Sequence, residues 1–428
     1  MTFNTSISNW SNTSSYSQRL QQYMKAAEGE VLQAYVDSVG VPTIGWGFSI
    51  IGANASPTFV DYLIGQGLGV DKPGLALSTK PAAAEANFYS QLQMALNQSW
   101  PADHTGKHTG SSLNLQNKLN GILAARIQLI KSANSPYSAN DKSLIGIPPS
   151  TFKFANSSDV AQAFIDQVQP SYENGLNAIF PGVPPSDERI ALFSLLYQGE
   201  ISRPFSTKLK AALSLPDQNE ARAQAWYTIR YLRPYSQTGD VWRNYSDAAM
   251  FGLFAPGISI TSDEALAVYR MYTRHANSMK NFDNSHLTVL VSNKANSVLG
   301  SLGGVSNLSS IFKPAADVLN KLYGNGQIFD PMNIFVADPS AGTVNRSSDN
   351  GADLIIGGTS NSTLTGGTGS DTFVYLPPST GATATTETID DSRGKGNGSI
   401  YVGNKVLTAS STVIKYSGTE TSAWKMAA

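Results

Sequence analysis

The sequence predicts an α+β protein: a mostly helical N-terminal part carrying a small β-hairpin sheet, followed by an all-β C-terminal module. Three observations predict it. Apolar residues recur at helical spacing through most of residues 18–277, as at Leu20, Met24 and Ala27. Residues 31–50 alternate apolar and polar positions around Gly40, Gly45 and Gly47, which reads as a twisted hairpin. From about residue 346 the chain turns Gly/Thr/Ser/Asp-rich with short strand-like runs.

In order, residues 1–17 read as a flexible Ser/Asn/Thr-rich tail. The first helix begins near Gln18 and stops near Gly29. Residues 60–180 hold several helices separated by Gly/Ser/Pro loops. Ser186 caps a helix whose stretch Ile190–Tyr197 is apolar nearly all round, the mark of a buried central helix. Helices follow around 217–233 and 240–254, and Thr261 with Glu264 forms a capping box for one ending near Asn277. Residues 286–345 read as a connecting segment. The domain expectation is therefore a tail at 1–17, a helical domain at 18–285, a connector at 286–345 and the β module at 346–428.

Composition narrows the function. The chain has 428 residues, 30 Lys+Arg against 31 Asp+Glu, and no cysteine. That excludes a disulfide scaffold, thiol catalysis and cysteine-ligated metals, and the balanced charge argues against nucleic acid as a partner. No stretch reaches the roughly 18 apolar residues of a membrane span. The N-terminus has neither a basic nor an apolar region of the kind a cleavable signal peptide needs. His104, His108, His275 and His286 have no metal-site spacing.

The informative stretch runs Glu28-Gly29 and then Tyr35-Val36-Asp37-Ser38-Val39-Gly40-Val41-Pro42-Thr43-Ile44-Gly45-Trp46-Gly47. A carboxylic acid at a helix end and a carboxylate in the hairpin after it are one way to supply the two groups that glycosidic hydrolysis needs. On spacing alone, two surface acids are the ordinary alternative. The segment resembles the catalytic hairpin of the phage-type lysozymes, glycoside hydrolase family 24: Glu-Gly, then Tyr-x-Asp-x-x-Gly-x-x-Thr-Ile-Gly-x-Gly. The resemblance implies that Glu28 is the general acid, held protonated, that Asp37 activates the attacking water, and that Thr43 positions it, with inversion at the anomeric carbon. Phe48 stands where the family usually has His, and reads as packing. The fold implied for residues 18–285 is a lysozyme-like domain with insertions.

Arg189 to Gly199 is similar to that family's central helix, which makes Tyr197 and Gln198 candidate sugar contacts or plain helix-end packing. Trp226 to Arg243 resembles its closing helices more loosely, with Gln237 and Thr238 as candidate contacts.

Residues 348–374 divide into three nine-residue units, and the last, Gly-Gly-Thr-Gly-Ser-Asp-Thr-Phe-Val, fits the repeat of the calcium-binding parallel β-roll of RTX type. The resemblance implies a structural Ca²⁺ between turns two units apart. Asp353 and Asp371 would be its carboxylates, and backbone carbonyls near Gly351, Gly367 and Gly369 would complete the shell, giving one site or two. Ile389-Asp390-Asp391 and Gly398–Val402 resemble capping strands. The combination implies a monomeric muramidase without a catalytic cofactor. It would cut the β-1,4 bond between N-acetylmuramic acid and N-acetylglucosamine, and would be secreted to act in the periplasm or cell wall of a target bacterium, with an immunity protein as a possible partner. The alternatives are a phage endolysin and a non-catalytic, calcium-dependent wall-binding protein.

Overall fold

The computed structural model describes residues 13–51, 81–103, 109–144, 151–202, 204–234, 241–254, 259–290, 307–324, 326–338, 343–346, 350–357, 362–376, 387–390, 399–402, 405–407, 413–415 and 424–426. The protein mixes helix and strand, with its larger sheet toward the C-terminus. It divides into two compact units, one of Asn12–Ile179 and one containing Phe180–Ala428.

The first unit opens with helix α1, Thr13–Glu28. Helix begins at Thr13, inside the segment read as a tail, and residues 1–12 lie outside the described residues. Leu20, Tyr23, Met24 and Ala27 are buried at spacings of three, one and three, and Gly29 ends the helix at φ +75°. A three-stranded antiparallel sheet follows: β1 (Val31–Val36), β2 (Pro42–Gly45) and β3 (Phe48–Ser49). Its remaining helices among the described residues are α2 (Ala82–Asn97), α3 (Gly110–Lys131), α4 (Ala139–Leu144), α5 (Ser157–Ala163) and α6 (Gln169–Ile179), with a π-helical turn at Phe164–Val168.

β1 is an edge strand, and an open edge would leave backbone groups unsatisfied. Helix α3 covers it: Gln116 Nε2 donates to the Ala34 carbonyl at 2.8 Å, and Ser112 Oγ accepts from Val36 N at 3.1 Å. Farther along, Phe154 N donates to the Leu32 carbonyl at 2.9 Å. Phe48 is buried among the rings of Trp46, Phe154 and Phe164, in the packing role expected of it.

In the second unit, Ser186 Oγ accepts from Arg189 N at 3.2 Å and starts α7, Asp187–Tyr197, which is buried from Glu188 to Leu195. Then come α8 (Pro204–Leu213), α9 (Gln218–Tyr227), a π-helical turn (Thr228–Leu232) and α10 (Trp242–Phe251). Glu188, fully buried, pairs with Arg222 of α9 at 2.8 Å.

Helix α11, Ser262–Leu290, begins at the expected cap, with Glu264 N donating to Thr261 Oγ1 at 3.2 Å. It outruns the expected end at Asn277 because long-range contacts hold its last turns. Asp283 accepts from the hydroxyls of Tyr231 and Tyr245, and Phe282 packs against both rings.

The described residues of 286–345, read as a connecting segment, carry regular structure. They hold α12, Leu308–Tyr323, then β4 (Ile334–Val336) and β5 (Thr343–Asn345), the first strands of two sheets. Phe312 of α12 is buried against Trp226, Tyr269 and Tyr272. β4 lies along α11: Val336 N donates to Thr273 Oγ1 at 2.9 Å, and Tyr272 stacks on Phe335.

Strands then alternate between the two sheets. β4, β6 (Leu354–Ile356), β8 (Thr372–Tyr375) and β10 (Ser399–Val402) run parallel in one, closed by antiparallel β11 (Lys405–Leu407). β5, β7 (Ser362–Thr365) and β9 (Glu387–Asp390) run parallel in the other. Of the stretches read as caps, Ile389 and Asp390 fall in β9 and Ser399–Val402 form β10, so they are full members of these sheets, while Asp391 and Gly398 lie outside the described residues. A separate hairpin pairs β12 (Val413–Lys415) with β13 (Trp424–Met426).

His275 of α11 stacks on Tyr227 with ring centroids 3.8 Å apart, and Nε2 lies 3.3 Å from Gln224 Oε1. Burial, reinforced by the Arg274 charge, pushes its pKa down to about 4. A histidine kept neutral by the fold takes up its proton more readily once unfolded, so its contribution is complete above about pH 6.5 and is lost as pH falls toward 4. The melting temperature is expected to drop across that window, and His275→Gln to flatten the drop. An identical pH profile for the two proteins would remove this assignment.

Candidate functional site

Glu28, Asp37 and Thr43 all lie in the first unit. Glu28 is the last residue of α1, half-buried where Gly29 turns the chain into β1. Asp37 stands just beyond the other end of β1. A straight six-residue strand spans roughly 20 Å, more than the roughly 6.5–9.5 Å between the carboxyls of an inverting pair. β1 is not straight: its register with β2 shifts between Val31 and Tyr35. Such a shift bends and twists a strand.

Asp37 and Thr43 are tied to the same residue. Asp37 Oδ1 accepts from Val39 N at 2.9 Å and Val41 N at 2.8 Å, while Thr43 Oγ1 donates to the Val41 carbonyl at 2.9 Å. Both turn bonds fall on Oδ1, so Oδ2 is the oxygen that faces away from the turn amides. Thr43 has committed its proton to that carbonyl, which leaves its oxygen the role of an acceptor. Gly40 makes the turn possible, at φ +88°, where a Cβ would stand 2.5 Å from the Trp100 carbonyl oxygen. Asp103 N donates to the Asp37 carbonyl at 3.1 Å, while Asp103 Oδ2 accepts from Ser112 N at 2.9 Å, which anchors the turn to α3.

A second glutamate flanks Gly29, and sequence reasoning passed over it. Glu30 accepts from Trp46 Nε1 at 3.0 Å and from Ser157 Oγ, and Lys25 Nζ lies 3.3 Å away. Burial opposes its charge, but the hydrogen bonds from Ser157, Trp46 and Lys25 outweigh burial and hold the carboxyl below its usual range. Glu30 is thus fixed as an anion, which suits an anchor and not a proton donor. Glu28 has different surroundings: burial raises the Tyr172 pKa, and the nearby Glu28 charge adds to the rise.

No family model matches the chain, and no characterised protein or solved structure does either. The reading of the site therefore rests on its own residues.

Tyr197 and Gln198 belong to the second unit, at the end of α7. Tyr197 stacks on Phe193, and Gln198 Oε1 accepts from Arg233 Nη2. Gln237 and Thr238 lie outside the described residues, as do His104 and His108.

In the β module, Leu354 pairs with Thr372, which sets Asp353 beside Asp371 on neighbouring turns. Both are fully buried. Asp371 Oδ1 accepts from Asp353 N and Oδ2 from Gly367 N, each at 3.0 Å. Thr368 Oγ1 donates to Asn350 Oδ1 at 2.8 Å, and a Cβ at Gly369 would stand 2.0 Å from the Gly351 carbonyl oxygen, so the turns stack too closely for a side chain there. Arg346 Nε lies 3.7 Å from Asp353 Oδ2, and its guanidinium covers the Phe335 ring. The donors are all oxygens, the chemistry that fits a hard cation. Among the described residues, no group of three or more His, Asp or Glu gathers to hold a metal. No described helix is long and apolar enough to cross a membrane.

Proposed function

We propose that the protein is a muramidase that hydrolyses the β-1,4 bond between N-acetylmuramic acid and N-acetylglucosamine in peptidoglycan, acting as a secreted antibacterial effector. The observation that carries this reading is the hairpin turn that ties Asp37 to the N–H and Thr43 to the carbonyl of Val41, in the same unit as a helix-end glutamate, Glu28, whose near neighbour in sequence, Glu30, is already fixed as an anion. Glu28 gives its proton to the leaving oxygen. Asp37 Oδ2 takes one proton from water, and Thr43 accepts a hydrogen bond from the water's other O–H, which stays on the new anomeric hydroxyl, so the water attacks from the face opposite the leaving group. The products are two shorter glycan strands, with inversion at the attacked carbon. The test is clearing of outer-membrane-permeabilised cells: wild-type protein is expected to lower turbidity, and no clearing would sink the reading.

The β module is proposed to be a parallel β-roll that binds one Ca²⁺, held by Asp353 and Asp371 with the carbonyls of Gly351, Gly367 and Gly369. Calcium would then add its binding energy to the module's stability once the protein has left a calcium-poor cytosol. Adding calcium is expected to raise the melting temperature of the wild type, and Asp353→Asn to abolish the rise. If Arg346 is the whole counter-charge of Asp353, calcium shifts nothing in the wild type, and the calcium assignment falls.

A further inference from the structure

We propose that Arg346 is a built-in counter-cation that holds Asp353 while calcium is scarce and competes with calcium for it. The inference deepens the calcium reading of the β module and rests on it. Arg346 and Asp353 stand at the two ends of one turn, Arg346 just after β5 and Asp353 just before β6. Both lie in the second unit.

The two carboxylates assigned to calcium are compensated in different ways. Asp371 accepts from two backbone N–H groups, those of Asp353 and Gly367. Such donors belong to the turns and stay with them. Asp353, fully buried, faces a side-chain cation: Arg346 Nε lies 3.7 Å from its Oδ2. A carboxylate taken out of water needs a positive charge nearby, and losing that charge costs heavily. Arg346 therefore lets the turn form before any metal arrives.

The pair is also built to open. At 3.7 Å it is a charge contact, longer than a hydrogen bond. Calcium carries twice the charge and binds carboxylate oxygens at roughly 2.3–2.6 Å, so it attracts the same group more strongly. The Arg346 backbone is fixed, its N–H donating to the Thr365 carbonyl at 2.9 Å, so only the side chain has to yield. The guanidinium keeps a resting place when it does. It lies over the Phe335 ring, 4.0 Å from the centroid, and the side chain is 29% exposed to water. The stability that calcium adds is then a difference, metal gained less arginine lost.

The experiment uses the full chain and two readouts, neither of them activity. In EDTA, Arg346→Met is expected to lower the melting temperature in the wild-type background, and by less than half as much in Asp353→Asn. In a calorimetric calcium titration, Arg346→Met is expected to bind roughly tenfold more tightly than the wild type, the change that follows from removing a competing state occupied about 90% of the time. Saturating calcium should then close the gap in melting temperature. Arg346→Lys keeps the charge, so its Kd is expected to stay within about threefold of the wild type. An Arg346→Met chain that folds only with calcium supports the inference, and one that folds under neither condition overturns it. Equal losses in both backgrounds in EDTA, or a calcium affinity that Arg346→Met leaves unchanged, overturn the inference while the calcium site stands. No calcium uptake by either the wild type or Arg346→Met overturns the calcium reading itself, and this inference with it.

Discussion

Replacing Glu28 by Gln is expected to cut cell-wall lysis by about 10³-fold or more, the upper part of the range that one proton-transferring side chain contributes. The change keeps the shape of the side chain and removes its proton. The leaving sugar oxygen then departs unprotonated, which raises the barrier at the step where bond breaking generates charge. Glu28 is half-buried at the end of α1, and none of the bonds that anchor Glu30 depends on it. The fold is therefore expected to hold, with a melting temperature close to that of the wild type. A second readout separates charge loss from unfolding. Tyr172 is held above its ordinary pKa by burial first and by the Glu28 charge second, so its alkaline titration is expected to move down in Glu28→Gln. The control is Glu30→Gln. It weakens an anchor that bridges Lys25, Trp46 and Ser157, and it should lower stability rather than abolish chemistry. If Glu30→Gln abolishes lysis in a stably folded protein while Glu28→Gln retains it, the proton donor has been assigned to the wrong glutamate.

Replacing Arg222 by Met is expected to destabilise the protein by about 3–5 kcal/mol, because it leaves a carboxylate buried without its cation. Glu188 is fully buried in the first turn of α7, and Arg222 reaches it at 2.8 Å from α9. Arg222 also lies 3.4 Å from the carbonyls of Phe251 and Gly252, so the same guanidinium closes the end of α10. One side chain therefore joins three helices, and its loss is felt at each. Chemical denaturation should show the midpoint shift. Replacing both members, Glu188→Leu with Arg222→Leu, is expected to recover much of the loss, since the isolated charge is what costs most. A single replacement that moves stability by less than about 1 kcal/mol would contradict this.

How much of this was legible follows from the range of the interactions. Where the deciding signal is local, the sequence sufficed. Gly29 ends α1, Ser186 starts α7, and the glycines of 40–47 form the hairpin, each for reasons carried within a few residues. The nine-residue spacing likewise placed Asp353 beside Asp371. What failed depended on distant partners. β4 and β5 are three residues long and sit among Gly, Ser and Pro, so residues 286–345 read as connector. The face of α11 that completes β4 lies about 60 residues upstream. Helix α11 outran its expected end for the same reason, through Asp283 and the two tyrosines. At the site, the two glutamates around Gly29 are equivalent in sequence, and only Trp46 and Ser157 distinguish them. In the second unit, Arg233 forks between Asp247 and Gln198, 14 and 35 residues away, with no periodicity to announce it.

The muramidase reading meets its most direct test in the products. Purified peptidoglycan digested with wild-type protein should release muropeptides whose new reducing ends are N-acetylmuramic acid, with the inverted α anomer formed first. Glu28→Gln should release almost none. Reducing ends on N-acetylglucosamine, release of peptides with intact glycan, or equal release by both proteins would contradict it.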